Sequence, residues 1–313
     1  MNPTAPASIL WQQKAHKRRF SRHRMNVSIL PFILCPELLM WKAIKYILIF
    51  YAFQIIGVIP TFFLGSVKES SLLIGLLFSS VLFIVYVLLK KETRPQPGSF
   101  TVRPWTILLP CIFVWLAFLL PEFRIIETLD LPDTVFEDID TESFYSVQGV
   151  FAIGILGPIA EELLFRGVVL DSLLHWDRIE GRPWLAVILS AVLFSLAHMN
   201  PAQLPATLSM GLFFGWLCYR TGSLLPGIVL HVFNNSLPCI AGMVSAEESR
   251  YETMADYFGS PWTEDIAIAL SLIVCIECLV VVVGMVDRHF PLKRSACIEY
   301  GGTLGDGEGE SPK

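Results

Sequence analysis

Eight stretches of this chain are apolar over lengths that suit a lipid bilayer: residues 45–65, 71–89, 105–121, 146–170, 184–199, 204–220, 224–243 and 265–286. Roughly 20 mostly apolar residues, wound as a helix, cross the hydrocarbon layer. The spacing therefore predicts an all-α fold, a polytopic transmembrane helical bundle of about eight spans. Composition agrees, with 54% hydrophobic and 16% charged residues and a mean hydropathy of +0.59. A soluble domain carries about 25% charged residues, so the bilayer is the expected solvent.

The loops set the orientation. Basic residues precede the first span, and Lys90, Lys91, Arg94 and Arg103 fill the loop 90–104. Arg178, Arg182, Arg220, Arg288, Lys293 and Arg294 mark the later loops on the same side. The alternate segments 122–145 and 244–264 are acidic, with Arg124 and Arg250 as their only strong bases. Positive charge favours the cytoplasmic side, so both termini are expected there, in the cell membrane if the source is bacterial. The domain layout follows. Residues 1–44 read as a basic N-terminal tail, with Met25 or Met40 as alternative starts and no signal-peptide cleavage pattern. Residues 45–286 form the membrane domain. Residues 287–313 are a cytoplasmic tail ending in the disordered, Gly-rich GGTLGDGEGESPK, with no cysteine four from its end to be prenylated.

Polar residues inside the apolar runs are the informative ones, because an ionisable group there needs a partner or a wet cavity. Glu161, Glu162 and Arg166 lie in GPIAEELLFRG, His198 in LFSLAHMN, His231 and Asn235 in LHVFNN. On a helix, Glu162 and Arg166 share a face in the favourable order, acid before base. Glu161 is turned by about 100° and points elsewhere. A lone Glu–Arg pair reads as a helix-end salt bridge, but the adjacent second carboxylate asks for another explanation. A desolvated carboxylate suits general-base work. His198 alone reads as a satisfied core histidine. His231 and Asn235, four apart, share a face and suit interhelical hydrogen bonding. Glu277 stands mid-span in CIECL without a sequence partner; the bland reading is a protonated or interhelically hydrogen-bonded glutamate, the alternative a substrate path or lipid access. Cys275 and Cys278 form a CxxC inside an apolar helix, read as small hydrophobes rather than ligands.

EELLFR, FSLAH and HVFNN resemble, in order and in successive hydrophobic helices, the three motifs of the type II CAAX prenyl endopeptidase family, the CPBP membrane proteins that include the Abi and bacteriocin-processing members. The pattern EExxxR, FxxxH, HxxxN falls on Glu161-Glu162-x-x-x-Arg166, Phe194-x-x-x-His198 and His231-x-x-x-Asn235, and the likeness covers about 146–243. It implies an intramembrane endopeptidase in which Glu161 and His198 activate water, His231 and Asn235 stabilise the oxyanion, and Glu162 and Arg166 organise the site. The family is named both metalloprotease and glutamate protease, so cofactors are either none or zinc. Glu161, His198 and His231 would be the zinc ligands, although no HExxH pre-forms such a site. The expected partners are the bilayer and a membrane-associated protein or peptide substrate, CaaX-like or other, with no nucleic acid. The alternatives are a non-catalytic scaffold or bacteriocin-immunity-type protein, and a transporter using Glu161 and Glu277, for which no inverted repeat is visible.

Overall fold

The computed structural model describes residues 29–63, 69–93, 95–132, 141–179, 181–244 and 253–291. The chain divides into two units, Met1–Leu38 and Leu39–Lys313. In the first unit only the helical backbone from Ile29 is described, and the second holds everything below. Most of the basic tail 1–44 and of the tail 287–313 lies outside the described residues.

Among the described residues there are nine helices and no strand: α1 (Ile29–Phe63), α2 (Glu69–Leu89), α3 (Leu108–Leu129), α4 (147–174), α5 (Pro183–Ala197), α6 (Leu204–Thr221), α7 (Leu225–Val244), the short α8 (Met254–Phe258) and α9 (Pro261–His289). The protein is an integral, multi-pass helical membrane protein. Eight helices correspond to the eight expected spans. Five of them are long and apolar enough to cross a bilayer: Leu39–Pro60, Ser71–Leu89, Trp105–Leu129, Leu225–Val244 and Pro261–His289. The other three are α4, interrupted and carrying four charged residues, α5, with 15 residues, and the more polar α6. These three line a protein interior, and a helix so placed need not be apolar all round.

Several boundaries differ from the sequence reading. The first span begins at Leu39, not at 45, because the half-buried Lys42 and the exposed Lys45 alternate with the buried Ala43 and Tyr46, and two lysines beside a buried stripe do not stop a helix. The third span runs to Leu129 rather than 121, past Pro121. Glu122, expected in an acidic loop, is thus a buried helical residue whose Oε1 accepts from Ser209 Oγ at 2.7 Å. Glu264 is likewise buried rather than looped, 3.2 Å from Arg124 Nη1.

Packing follows membrane rules, in which close backbone approach substitutes for a hydrophobic driving force. Gly57 of α1 and Gly75 of α2 meet so tightly that a Cβ on either would fall 2.4 or 2.5 Å from the other's carbonyl oxygen. Phe50, Phe53, Phe83 and Tyr86 fill the adjoining space ring against ring. At the end of that pair Tyr46 donates to Glu92 at 2.5 Å, and this bond holds the Glu92 carboxyl below its usual range. The helices α5 and α6 form an antiparallel pair, α9 lies along α3, and α7 packs against α4 and α6.

Candidate active site

The helix that carries the glutamate doublet is not a regular α-helix. Two π-helical stretches, Val150–Leu156 and Phe165–Leu170, flank the α-helical Gly157–Leu164. Pro158 is a physical cause of the first. It has no N–H to return to the carbonyl of Gly154, and its ring crowds that carbonyl. The wider turn frees the carbonyls of Ile153 and Gly154, and α7 takes both. Asn235 Nδ2 donates to Ile153 O at 3.3 Å and Ser236 Oγ to Gly154 O at 2.9 Å. In the second stretch Ser190 Oγ of α5 donates to Phe165 O at 3.1 Å. Irregular backbone at membrane depth survives only where neighbours satisfy it. Here those neighbours are the helices bearing the other two motifs.

Within this frame five of the six expected residues converge. Glu162 and Arg166 are both fully enclosed, with Arg166 Nη1 donating to Glu162 Oε1 at 2.6 Å. The same oxygen accepts from His231 Nδ1 at 2.9 Å. Glu162 therefore does more than hold the arginine; it joins the first motif to the third and fixes the orientation of His231. The spacing along the chain did not reveal this bond. Gly227, one turn before His231, makes room for it. A Cβ there would fall 2.5 Å from Glu162 Oε2.

The arginine is held on aromatic faces as well. Its guanidinium lies 4.4 Å from the centre of the Phe194 ring and 5.7 Å from that of Phe214, a cation–π arrangement in a dry setting. Phe194 also packs edge-on against His198 and His231, at 4.8 and 5.7 Å between ring centres. The phenylalanine of FxxxH is thus a common support for both imidazoles and the arginine.

Glu161 faces the other way, as its 100° offset predicts. Its Oε2 lies 3.7 Å from His231 Nε2 and 4.0 Å from His198 Nε2 and has no hydrogen-bond partner. Both imidazoles are anchored through Nδ1, that of His198 donating to Phe194 O at 2.9 Å and that of His231 to Glu162. Their Nε2 atoms are left to face the carboxylate. In the neutral rings each Nε2 carries a lone pair, so three acceptors meet across one gap and require a donor between them. Glu161 and His198 side chains remain about one quarter exposed, whereas His231 is 2% exposed. The site is open on the Glu161–His198 side.

Ligands 2.0–2.1 Å from a tetrahedral ion stand about 3.4 Å apart, and two acceptors sharing one water through ordinary hydrogen bonds stand about 4.5 Å apart; the 3.7 and 4.0 Å found here lie between the two. The donor types match zinc chemistry, but among the described residues no group of three or more is spaced to hold a metal.

Asn235 is the sixth expected residue, and its amide is already engaged. One N–H goes to Ile153 O, and Oδ1 accepts from Asn234 Nδ2 at 3.0 Å. Asn234 is in turn fixed by Trp115 Nε1 of α3, which donates to its Oδ1 at 2.8 Å. Trp115, Asn234 and Asn235 form a relay that sets the amide's orientation. Tyr51 of α1 is a second addition, donating its hydroxyl to the carbonyl of Ala197, the residue before His198. His198 ends α5, and Met199 beyond it sits at φ 52°, a left-handed conformation uncommon outside glycine. The reversal lets Asn200 cap the next turn by accepting from Ala202 N at 3.1 Å.

Glu277 does not join this site. It is exposed on α9, and the expected interhelical hydrogen bond is not formed among the described residues. Cys275 is a free, buried cysteine and Cys278 is free and half-buried, in keeping with their reading as hydrophobes.

Residues 143–237 match the family described as type II CAAX prenyl endopeptidase, Rce1-like. The chain is also 29% identical over 108 residues to the membrane-embedded CAAX protease MroQ of Staphylococcus aureus (strain USA300), a match covering 33% of this chain and 43% of that protein. The chain thus spans less than half the length of this curated relative. No solved structure matches the chain. The matched segment holds all three motifs and every residue converging on Glu161. Over residues 143–237 this chain is similar to the type II CAAX prenyl endopeptidase family.

Proposed function

We propose that this CAAX protease-type membrane protein is an intramembrane endopeptidase that hydrolyses a peptide bond of a membrane-associated protein or peptide, with water activated directly by Glu161 and His198. The observation that carries the reading is the unpartnered Glu161 Oε2 facing two imidazole Nε2 atoms at 3.7 and 4.0 Å. A water in that gap gives its proton to Glu161 as its oxygen attacks the scissile carbonyl, and His198 Nε2 orients it. His231, its Nδ1–H held by Glu162, takes up a proton from bulk water on Nε2 as substrate binds, donates it as a hydrogen bond to the oxyanion, and releases it when the tetrahedral state collapses. Asn235 adds its remaining N–H. Fixed donors of this kind act strongly where water is excluded. Glu161 then passes its proton to the leaving amine, which balances the reaction. Arg166 and Glu162 keep the imidazoles in register. No step passes through a metal.

A prenylated C-terminal CaaX peptide is the substrate class that the resemblance suggests; other membrane peptides suit the same chemistry. The test is cleavage of a quenched farnesylated CaaX peptide by the purified protein in liposomes, alongside comparison of membrane-protein termini in cells. Glu161→Ala and His198→Ala abolish cleavage in both assays while the protein stays folded and inserted. Full activity in both variants refutes the reading. Metal analysis and chelator treatment of the same preparation decide the role of zinc: a direct mechanism is unaffected by chelation, and loss of activity restored by zinc overturns it.

A further inference from the structure

Helix α9 carries a carboxyl group where lipid alone would surround it. Glu277 lies 16 residues after Pro261 and 12 before His289, about 24 and 18 Å from the helix ends at 1.5 Å per residue. A glutamate side chain is too short to reach either interface. Its helix is fixed from the other side. Glu264, Cys275, Val282 and Val286 are buried, and Ser271 donates to the carbonyl of Ala117 in α3. At 3.6 residues per turn these five positions lie within about 40° of one line along the helix. Ile266, Leu270, Ile273, Glu277, Val280 and Gly284 lie within about 40° of the opposite line, and all six are exposed. Space beside Gly284 is open, with nothing within 4 Å of where a Cβ would stand.

The exposed face is therefore an apolar stripe with one hydrogen-bonding group at its centre and a small residue two turns on. We propose that this stripe is the contact surface for a second copy of this chain, with Glu277 pairing with Glu277 across a two-fold axis normal to the membrane. Copies inserted in the same orientation hold Glu277 at the same depth, so such an axis places each carboxyl opposite itself. In its neutral acid form a carboxyl carries both a donor and an acceptor, and is complementary to a copy of itself. A different partner would have to bring its own polar residue to that depth. Gly284 lets the backbones approach on one side of the pair, as small residues do in membrane dimers. The inference is independent of the peptidase reading.

The experiment uses full-length protein with its cysteines replaced, labelled and reconstituted in liposomes across a range of protein-to-lipid ratios, with association read by energy transfer. The native sequence dimerises, and Glu277→Gln, whose amide also donates and accepts, retains the dimer. Glu277→Leu weakens it roughly three- to tenfold, the range of an interhelical hydrogen bond. Single cysteines at Ile273 and Val280 cross-link between copies, and one at Leu279, exposed but on the α3 side, does not. Leucine suits a lipid-facing position, so Glu277→Leu remains folded. A native protein that stays monomeric at every ratio, a Glu277→Leu variant that dimerises as well as the native chain, or cross-linking that favours Leu279 overturns the proposal.

Discussion

Helices α4 and α9 both carry glutamate inside an apolar stretch, and the protein treats them in opposite ways. In α4 the backbone departs from α-helical geometry twice, and neighbouring side chains satisfy the freed carbonyls. Its two carboxylates meet an arginine, two imidazoles and aromatic faces. In α9 the backbone is regular, the helix packs chiefly on α3 along one line, and Glu277 is exposed, with no partner among the described residues. An intramembrane acid is a functional candidate in either place, but the surroundings decide for what. Enclosure by polar partners suits a reaction centre, whereas exposure along an apolar stripe suits a contact surface.

The sharpest way to break this contrast is at Glu161. Glu161→Ala should lower peptide turnover on the order of 10²–10⁴-fold, the range of a lost general base, with little change in thermal stability because Oε2 has no bond to lose. Glu277→Leu, measured in the same assay on monomeric protein, should leave turnover and stability near native values.

Glu162→Ala should act on the fold itself. It leaves the enclosed Arg166 unpaired and His231 unheld, and breaking a buried pair from one side costs about 3–5 kcal/mol. Unfolding in detergent measures this, and the comparison with Glu161→Ala separates the working carboxylate from the structural one. Gly227→Ala reaches the same carboxylate from α7. The added methyl displaces Glu162 from a position pinned by two donors, and turnover should fall about tenfold or more, consistent with loss of a charged hydrogen bond.

Smaller effects are expected at the relay behind Asn235. Trp115→Phe keeps the ring but removes the donor to Asn234, a loss of about 1 kcal/mol, read as a several-fold drop in kcat with KM nearly unchanged. The smallest concerns His175, beyond the expected span 146–170. Asp171 lies 3.4 Å from His175 Nδ1, and this pairing pushes the imidazole up to about 9. A raised folded value means that the stabilisation is complete below about pH 6.5 and is lost as pH rises through about 9. The Tm difference between native protein and His175→Gln should therefore be present at pH 6 and absent at pH 10.

Hydropathy alone made the helical membrane fold legible, because lipid admits few other ways to satisfy a backbone. It placed eight helices in order and erred at their ends, where Lys42, Pro121 and Glu122 looked like interruptions. Each is tolerated because its polar or irregular part faces outward or finds a partner on another helix. The residues of the candidate site were legible too, since Glu161, Glu162, Arg166, His198, His231 and Asn235 are polar groups in apolar runs, and helical spacing separated the two glutamates by face. What periodicity cannot carry is contact between helices. The bond from Glu162 to His231, the room left by Gly227, the support from Phe194 and the carbonyls that Pro158 releases to Asn235 and Ser236 all join residues distant in sequence. The same limit left Glu277 undecided. Sequence marked it as a costly acid in a membrane helix, and only the packing of α9 on α3 turned that acid outward, because a helix has one face to bury against a single neighbour and must present the other to whatever lies beyond.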